Sequence, residues 1–131
     1  MPVYNELPFI DAVIANVRAV PLDQIVKEII IVDDCSTDGT REYLEKLSSK
    51  PWQDDGADLR VIFQRKNEGK GSAIRRAMEE ATGDIIVIQD ADLEYDPREY
   101  PKLIDPILRG LADVVYGSRF LGGPHRVVYF W

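Results

Sequence analysis

Cysteine and histidine are almost missing from this chain. Cys35 is its only cysteine and His125 its only histidine in 131 residues, which excludes an intrachain disulfide, a cysteine-based metal cage and a zinc site built from the usual nitrogen and sulfur donors. Cys35 reads as a small core thiol in a reduced, cytoplasmic protein, and His125, with no visible partner, as a structural or surface residue. Positive charge is scarce too: 16 Lys and Arg against 23 Asp and Glu leave a net charge of -7. Binding along a nucleic-acid backbone needs clustered basic side chains to displace counterions, so that class is set aside, although a small anionic ligand is not. No apolar run approaches the roughly 18 residues of a membrane span. Met1-Pro2-Val3-Tyr4 is too short, and too polar in continuation, for a secretory signal.

What remains is 45% apolar and 30% charged, a composition that folds, at a length suited to one domain with a real core. The acids are uneven, with 14 Asp and 9 Glu. Phe9, Ile10, Val13, Ile14 and Val17 make one helical stripe that ends near Val20-Pro21. Ile29-Ile30-Ile31-Val32 is short, continuous and β-branched, a strand buried on both faces as in a parallel sheet, and it stops at Asp33-Asp34. A helix carrying Tyr43, Leu44 and Leu47 follows, then a polar loop over Trp52 to Asp58, a strand over Leu59 to Gln64, and a helix over Gly71 to Thr82. Ile85-Ile86-Val87-Ile88 predicts another buried strand ending on acids, Pro97 opens a helix that Gly110 closes, and Ala112 to Tyr116 predicts a last strand.

This alternation predicts a doubly wound, mainly parallel α/β sheet with right-handed crossovers. A helix that opens such a series normally follows a strand, so the chain is expected to be truncated inside or just after one. The dense apolar cluster Tyr129-Phe130-Trp131 suggests a cut at the other end as well, and its exposure could promote homo-oligomers.

Ligands of open α/β sheets bind outside the carboxyl ends of the strands. Three acid clusters fall there: Asn5-Glu6, Asp33-Asp34 and Asp90-Ala91-Asp92. Singly, each Asp is as readily a turn former or helix cap. Taken together on neighbouring strands they read as a site. Asp90 and Asp92, at i and i+2, can approach one divalent cation, with Glu94 extending that side; Mg²⁺ or Mn²⁺ suits such carboxylates better than zinc does. The basic, glycine-containing stretch from Arg65 to Gly71 makes Lys70 either a phosphate ligand or an ordinary surface lysine, since no P-loop pattern is present. Arg75 and Arg76 precede Glu79 and Glu80 by four residues and read as an ion-paired helix face. Arg119, after the last strand, suits a phosphate or diphosphate oxygen.

Pro2-Val3-Tyr4-Asn5-Glu6, Ile31 to Thr40, Asn67-Glu68-Gly69-Lys70-Gly71, Asp90-Ala91-Asp92-Leu93 and Gly117-Ser118-Arg119-Phe120 together resemble, in order, the motifs of family 2 glycosyltransferases of GT-A fold. The similarity is greatest to the branch that transfers mannose or glucose to dolichyl or other polyprenyl phosphates. That resemblance implies a Rossmann-like nucleotide-sugar-binding domain over residues 1–131. It implies that Pro2, Tyr4 and Glu6 hold the base and ribose of a GDP- or UDP-sugar, as do Val32, Asp33 and Asp34, and that Lys70 lies near the nucleotide. Asp90-Ala91-Asp92 matches a D-x-D motif tying a divalent cation and ribose to the sugar diphosphate, and Arg119 matches an arginine near the diphosphate and sugar; Glu94, two places on, is a further candidate ligand but departs from the family, where a neutral polar residue is common. Cys35 stands where glycine is common in the family, a departure expected to matter little.

The expected activity is inverting transfer of a hexose to a polyprenyl phosphate, at the cytoplasmic face of a membrane reached through parts beyond this chain. No residue here reads as a general base, which a phosphate acceptor would not need. Two rivals are a noncatalytic nucleotide-sugar-binding fragment and a receiver-type signalling domain. The latter lacks its lysine after the late strand, which ends Val115-Tyr116-Gly117.

Overall fold

The run Ile29-Ile30-Ile31-Val32 becomes the middle strand of a three-stranded parallel sheet. In the computed structural model, which describes residues 1–49 and 58–117, strand β1 is Pro2–Val3, β2 is Glu28–Asp33 and β3 is Asp58–Phe63, in the order β1-β2-β3. Pro2 pairs with Val32 and Val3 with Asp33, while β2 and β3 run in register from Glu28 and Asp58 to Asp33 and Phe63. Helix α1 (Ile10–Ala19) joins β1 to β2, α2 (Thr40–Ser48) joins β2 to β3, and α3 (Lys70–Glu80) follows β3. A 3-10 turn at Pro97–Glu99 leads into α4 (Tyr100–Leu108). The expected loop from Trp52 falls outside the described residues up to Asp58, as do Arg119, His125 and Tyr129-Phe130-Trp131.

The chain divides into two compact units, Met1–Tyr100 and Pro101–Trp131. In the first, the alternation of side chains along β2, with both faces covered, explains why the strand carries only apolar residues between Glu28 and Asp33. Ile30 and Val32 pack with Ala73 of α3, and Ile62, Ala77 and Ala81 close around them. Ile29, Ile31 and Asp33 point to the opposite face, where Asp33 meets Arg41 of α2. Both faces are therefore covered, as a doubly wound sheet requires. The α1 stripe Ile10, Val13, Ile14 and Val17 is buried as its spacing predicts. On α3 the exposed face carries Arg76 paired with Glu79 at 3.0 Å and Glu80 at 2.7 Å.

At the front, Pro2–Val3 pairs with β2 as a short first strand. Two expectations need correction. Ile85–Ile88 joins no strand pair among the described residues and is not buried on both faces, since Ile86 is 47% and Ile88 54% exposed. A β-branched run makes extended backbone cheap, but a ladder needs a partner along its whole length; here the segment lines a cleft of about 130 Å³ against β1, β2 and α3. In the second unit, Ala112 to Tyr116 likewise forms no described strand, with Val114 and Tyr116 exposed. Gly110 does close α4, at φ +65° with its N–H on the Ile107 carbonyl at 2.9 Å.

The end of α1 depends on a side chain from outside the helix. Lys27 Nζ donates to the carbonyls of Val17 (3.2 Å), Arg18 and Val20 (2.8 Å), which would otherwise be orphaned at the helix terminus. We expect Lys27→Met, which keeps the stem and loses the ammonium, to lower the unfolding free energy by about 2 kcal/mol in urea titration. A loss under about 0.5 kcal/mol, the worth of an ordinary surface charge contact, would show that water serves those carbonyls equally well.

Candidate functional site

Two adjacent carboxylates end β2, and strand alternation sends them to opposite faces. Asp33 is fully buried: Oδ1 accepts from the Ser36 N–H at 3.2 Å and Oδ2 from Arg41 Nη1 at 3.2 Å. Arg41 also donates to the Gln64 carbonyl at 3.1 Å and lies over the Phe63 ring, 4.9 Å from its centre. Asp34 faces α3. Its Oδ1 accepts from the Glu68 N–H at 2.8 Å and its Oδ2 from the Gly69 N–H at 2.7 Å. Gly69 holds φ +85°, which turns the chain so that Lys70 opens α3. From there Lys70 Nζ donates to Asp90 Oδ2 at 2.6 Å.

A second set of bonds ties the loop after β1 to the loop after β2. The Asn5 N–H donates to Ser36 Oγ (2.9 Å), the Thr37 N–H to Asn5 Oδ1 (2.8 Å), the Glu6 N–H to Thr40 Oγ1 (3.0 Å) and the Leu7 N–H to Asp38 Oδ2 (3.2 Å). Asp38 Oδ1 in turn accepts from the Thr40 hydroxyl at 2.6 Å and the Thr40 N–H at 3.0 Å. Desolvation pushes the Asp38 carboxyl up, but these bonds outweigh it and hold its pKa below the ordinary value. The stretch Ser36 to Thr40 is thus a fastening for Asn5, Glu6 and Leu7, beyond the helix cap its composition suggests. Asn5 (φ +57°) and Cys35 (φ +65°) make the two turns in left-handed backbone. Asn adopts it readily, whereas at Cys35 the Cβ costs about 1 kcal/mol, a physical reason for glycine there.

These loops enclose a cleft of about 310 Å³ at the carboxyl end of the sheet. Of the residues singled out from sequence, Pro2, Tyr4, Glu6, Asp34, Lys70, Asp90 and Ala91 line it, together with Val3, Asn67, Gly69 and Ala73. Val32 and Asp33 do not: the first is in the core under α3 and the second is enclosed with Arg41. Asp92 stands close enough that its charge acts on Glu6, and its Oδ1 accepts from the Glu94 N–H at 3.0 Å. Among the described residues no three His, Cys, Asp or Glu side chains group closely enough to cage a metal, so Glu94 does not complete a preformed set with Asp90 and Asp92. Two carboxylates beside an open cleft still fit the habit of Mg²⁺, which takes one or two protein carboxylates and fills its remaining positions with water and phosphate oxygens. Gln89 and Tyr100, which sequence reasoning did not single out as site residues, also bear on this loop.

The chain belongs to the family described as glycosyl transferase family 2, whose profile matches residues 1–131. Its fold and ordered motifs agree with that assignment, which displaces the receiver-type alternative. Among curated proteins it is 37% identical over 123 residues to a dolichol-phosphate mannosyltransferase of Pyrococcus furiosus, covering 94% of this chain and 33% of that protein. It is 34% identical over 117 residues to an undecaprenyl-phosphate 4-deoxy-4-formamido-L-arabinose transferase of Aeromonas hydrophila, and 36% identical over 117 residues to one of Pectobacterium carotovorum. Both comparisons cover 88% of this chain and 34% of the relative. The chain therefore spans about a third of the length of these relatives. No described helix is long and apolar enough to cross a membrane.

Two outcomes follow from the loop geometry. Asp34→Asn puts an NH₂ group against one of two backbone donors; we expect about 2 kcal/mol less stability and faster amide exchange at Glu68 and Gly69 than at Ile30 and Ile31. Exchange unchanged at the two amides would mean the loop holds itself. Glu6 tests the electrostatics. Desolvation first, then the charges of Asp92, Asp38 and Asp90, raise its pKa above the ordinary 4.5. The folded state therefore takes up this proton more readily than the unfolded chain, so stability falls as pH rises from that value through the raised one. Glu6→Gln should stabilise the protein at pH 7, with the gain vanishing once both forms are neutral below about pH 4. A gain that does not change with pH in urea melts would place its origin elsewhere.

Proposed function

We propose that this chain is the donor-binding part of a glycosyltransferase that moves a hexose from a GDP- or UDP-sugar to a polyprenyl phosphate, with Mg²⁺ or Mn²⁺. The observation that carries this reading is the convergence of residues from four separated motifs, Pro2 to Glu6, Asp34, Asn67 to Lys70 and Asp90-Ala91, on one cleft at the carboxyl ends of parallel strands. The relatives, a dolichol-phosphate mannosyltransferase and undecaprenyl-phosphate 4-deoxy-4-formamido-L-arabinose transferases, support the acceptor class.

In this reading Pro2, Tyr4 and Glu6 hold the nucleoside and Asp34 sets the loop from which Lys70 reaches the diphosphate. Asp90 and Asp92 would hold the cation, which supplies positive charge to the departing diphosphate. Lys70, already seated on Asp90, adds a second cation beside the same oxygens. A new bond forms between an acceptor phosphate oxygen and the anomeric carbon as the carbon–oxygen bond to the diphosphate breaks, with inversion. The attacking oxygen is anionic at pH 7, so no side chain has to remove a proton. Arg119 is proposed, from its position in the motif order, to act near the diphosphate and sugar.

Calorimetric titration of the full-length protein with GDP and UDP, with and without Mn²⁺, tests the proposal. We expect one nucleotide to bind preferentially, Mn²⁺ to strengthen it by about tenfold or more, and Asp92→Asn to remove most of that gain. Affinity indifferent to both the metal and the substitution would overturn the metal assignment, and absence of nucleotide binding would overturn the donor site.

A further inference from the structure

Gln89 stands one residue before the Asp90-Ala91-Asp92 motif and is only 5% exposed. Its Nε2 donates to the Asp90 carbonyl at 3.0 Å and to the Tyr95 carbonyl at 3.2 Å, while its Oε1 accepts from the Tyr100 hydroxyl at 2.7 Å. The partners set the amide's orientation: two carbonyls can be met only by the NH₂ group, which leaves the oxygen for Tyr100. Tyr100 is itself 8% exposed, and burial pushes its hydroxyl pKa upward, so it remains a donor at any working pH. One buried side chain thus fastens both ends of the loop 90–95 and is anchored in turn at the start of α4.

The loop needs such a fastening. Between the two gripped carbonyls, Leu93 is held at φ +63°, a conformation that a bulky residue keeps only where its surroundings enforce it. Freed from Gln89, the segment would relax, and the spacing of Asp90 and Asp92 would go with it. Carboxylates that grip a cation depend in general on such outer partners, whose loss costs tenfold to a hundredfold in affinity.

We propose that Gln89 and Tyr100 are positioning residues for the donor site, a buried clasp that keeps Asp90 and Asp92 in the arrangement that meets the cation and diphosphate. The proposal rests on the donor-site reading above. Neither residue touches the ligand; both act through the loop.

The test uses the full-length protein as wild type, Tyr100→Phe, Gln89→Met and the double variant. Three quantities are measured: the Mn²⁺-dependent gain in GDP and UDP affinity, the urea midpoint, and amide exchange at residues 90–95 against residues 29–33. Each single substitution should cut the Mn²⁺-dependent gain about tenfold while leaving metal-free nucleotide affinity within about twofold. Exchange should quicken at 90–95 and not at 29–33, and the double variant should be no worse than Gln89→Met, because Tyr100 acts only through the amide. A lowered urea midpoint with an unchanged Mn²⁺ gain would make the pair an ordinary core hydrogen bond and overturn the proposal, whether or not exchange quickens. Should Gln89→Met fail to fold, Tyr100→Phe decides alone, since it removes a single hydroxyl. A wild type that binds neither nucleotide overturns the donor site, and the positioning role with it, while the exchange data separately decide whether the clasp exists.

Discussion

The structure turns on two neighbouring carboxylates withdrawn from water at the tip of the middle strand. A buried carboxylate is costly unless every oxygen finds a donor, and Asp33 and Asp34 cannot share donors because the pleat sends them to opposite faces. Asp33 draws in Arg41 and the turn at Ser36; Asp34 draws in the backbone of Glu68 and Gly69. Satisfying these two groups places the loop before α2 and the loop before α3 on either side of the strand end. Everything that lines the cleft is placed by one of those loops or by what is tied to them.

Backbone donors predominate in this tying, which explains the character of the site. Glu6, Leu7, Glu68 and Gly69 are held by their amides, so the Glu6 side chain is not spent on fastening the loop, while Lys70 reaches across to Asp90. The cost is electrostatic: burial and then the charges of Asp92, Asp38 and Asp90 disfavour the charge of Glu6, while Lys70 pairs with Asp90. A cleft so arranged favours a ligand that brings an anion and a cation together, and disfavours a bare polyanion such as a nucleic-acid strand. The overall negative charge and a phosphate-bearing ligand are thus compatible.

Much of this was legible beforehand. The helices of the first unit could be read from apolar spacing, because burying one stripe against a sheet demands it, and each begins or ends within a few residues of expectation. The turn at Asp33-Asp34 was legible where the apolar run stops, and the one before Lys70 from the glycines beside it. The run at 85–88 misled: its composition matches that of β2, but composition speaks only for the backbone's local preference, and strand pairing is a contact between distant segments. Val32 and Asp33 misled differently. Motif resemblance selects a stretch of chain, and alternation within it sends successive side chains to the core, to Arg41 and to the cleft in turn.

The amino-acid sequence by itself determined the class of fold, its parallel sheet, its family and the ends of the strands where acids would gather, since these follow from periodicity and from the order of motifs along one chain. Only the tertiary structure decided which acids face the cleft, which are spent on holding loops, and that Gln89 and Tyr100 clasp the Asp90-Ala91-Asp92 segment. Those outcomes rest in large part on pairs separated by up to 35 positions, and donors and acceptors choose among such partners only once the packed core has brought them within hydrogen-bonding distance.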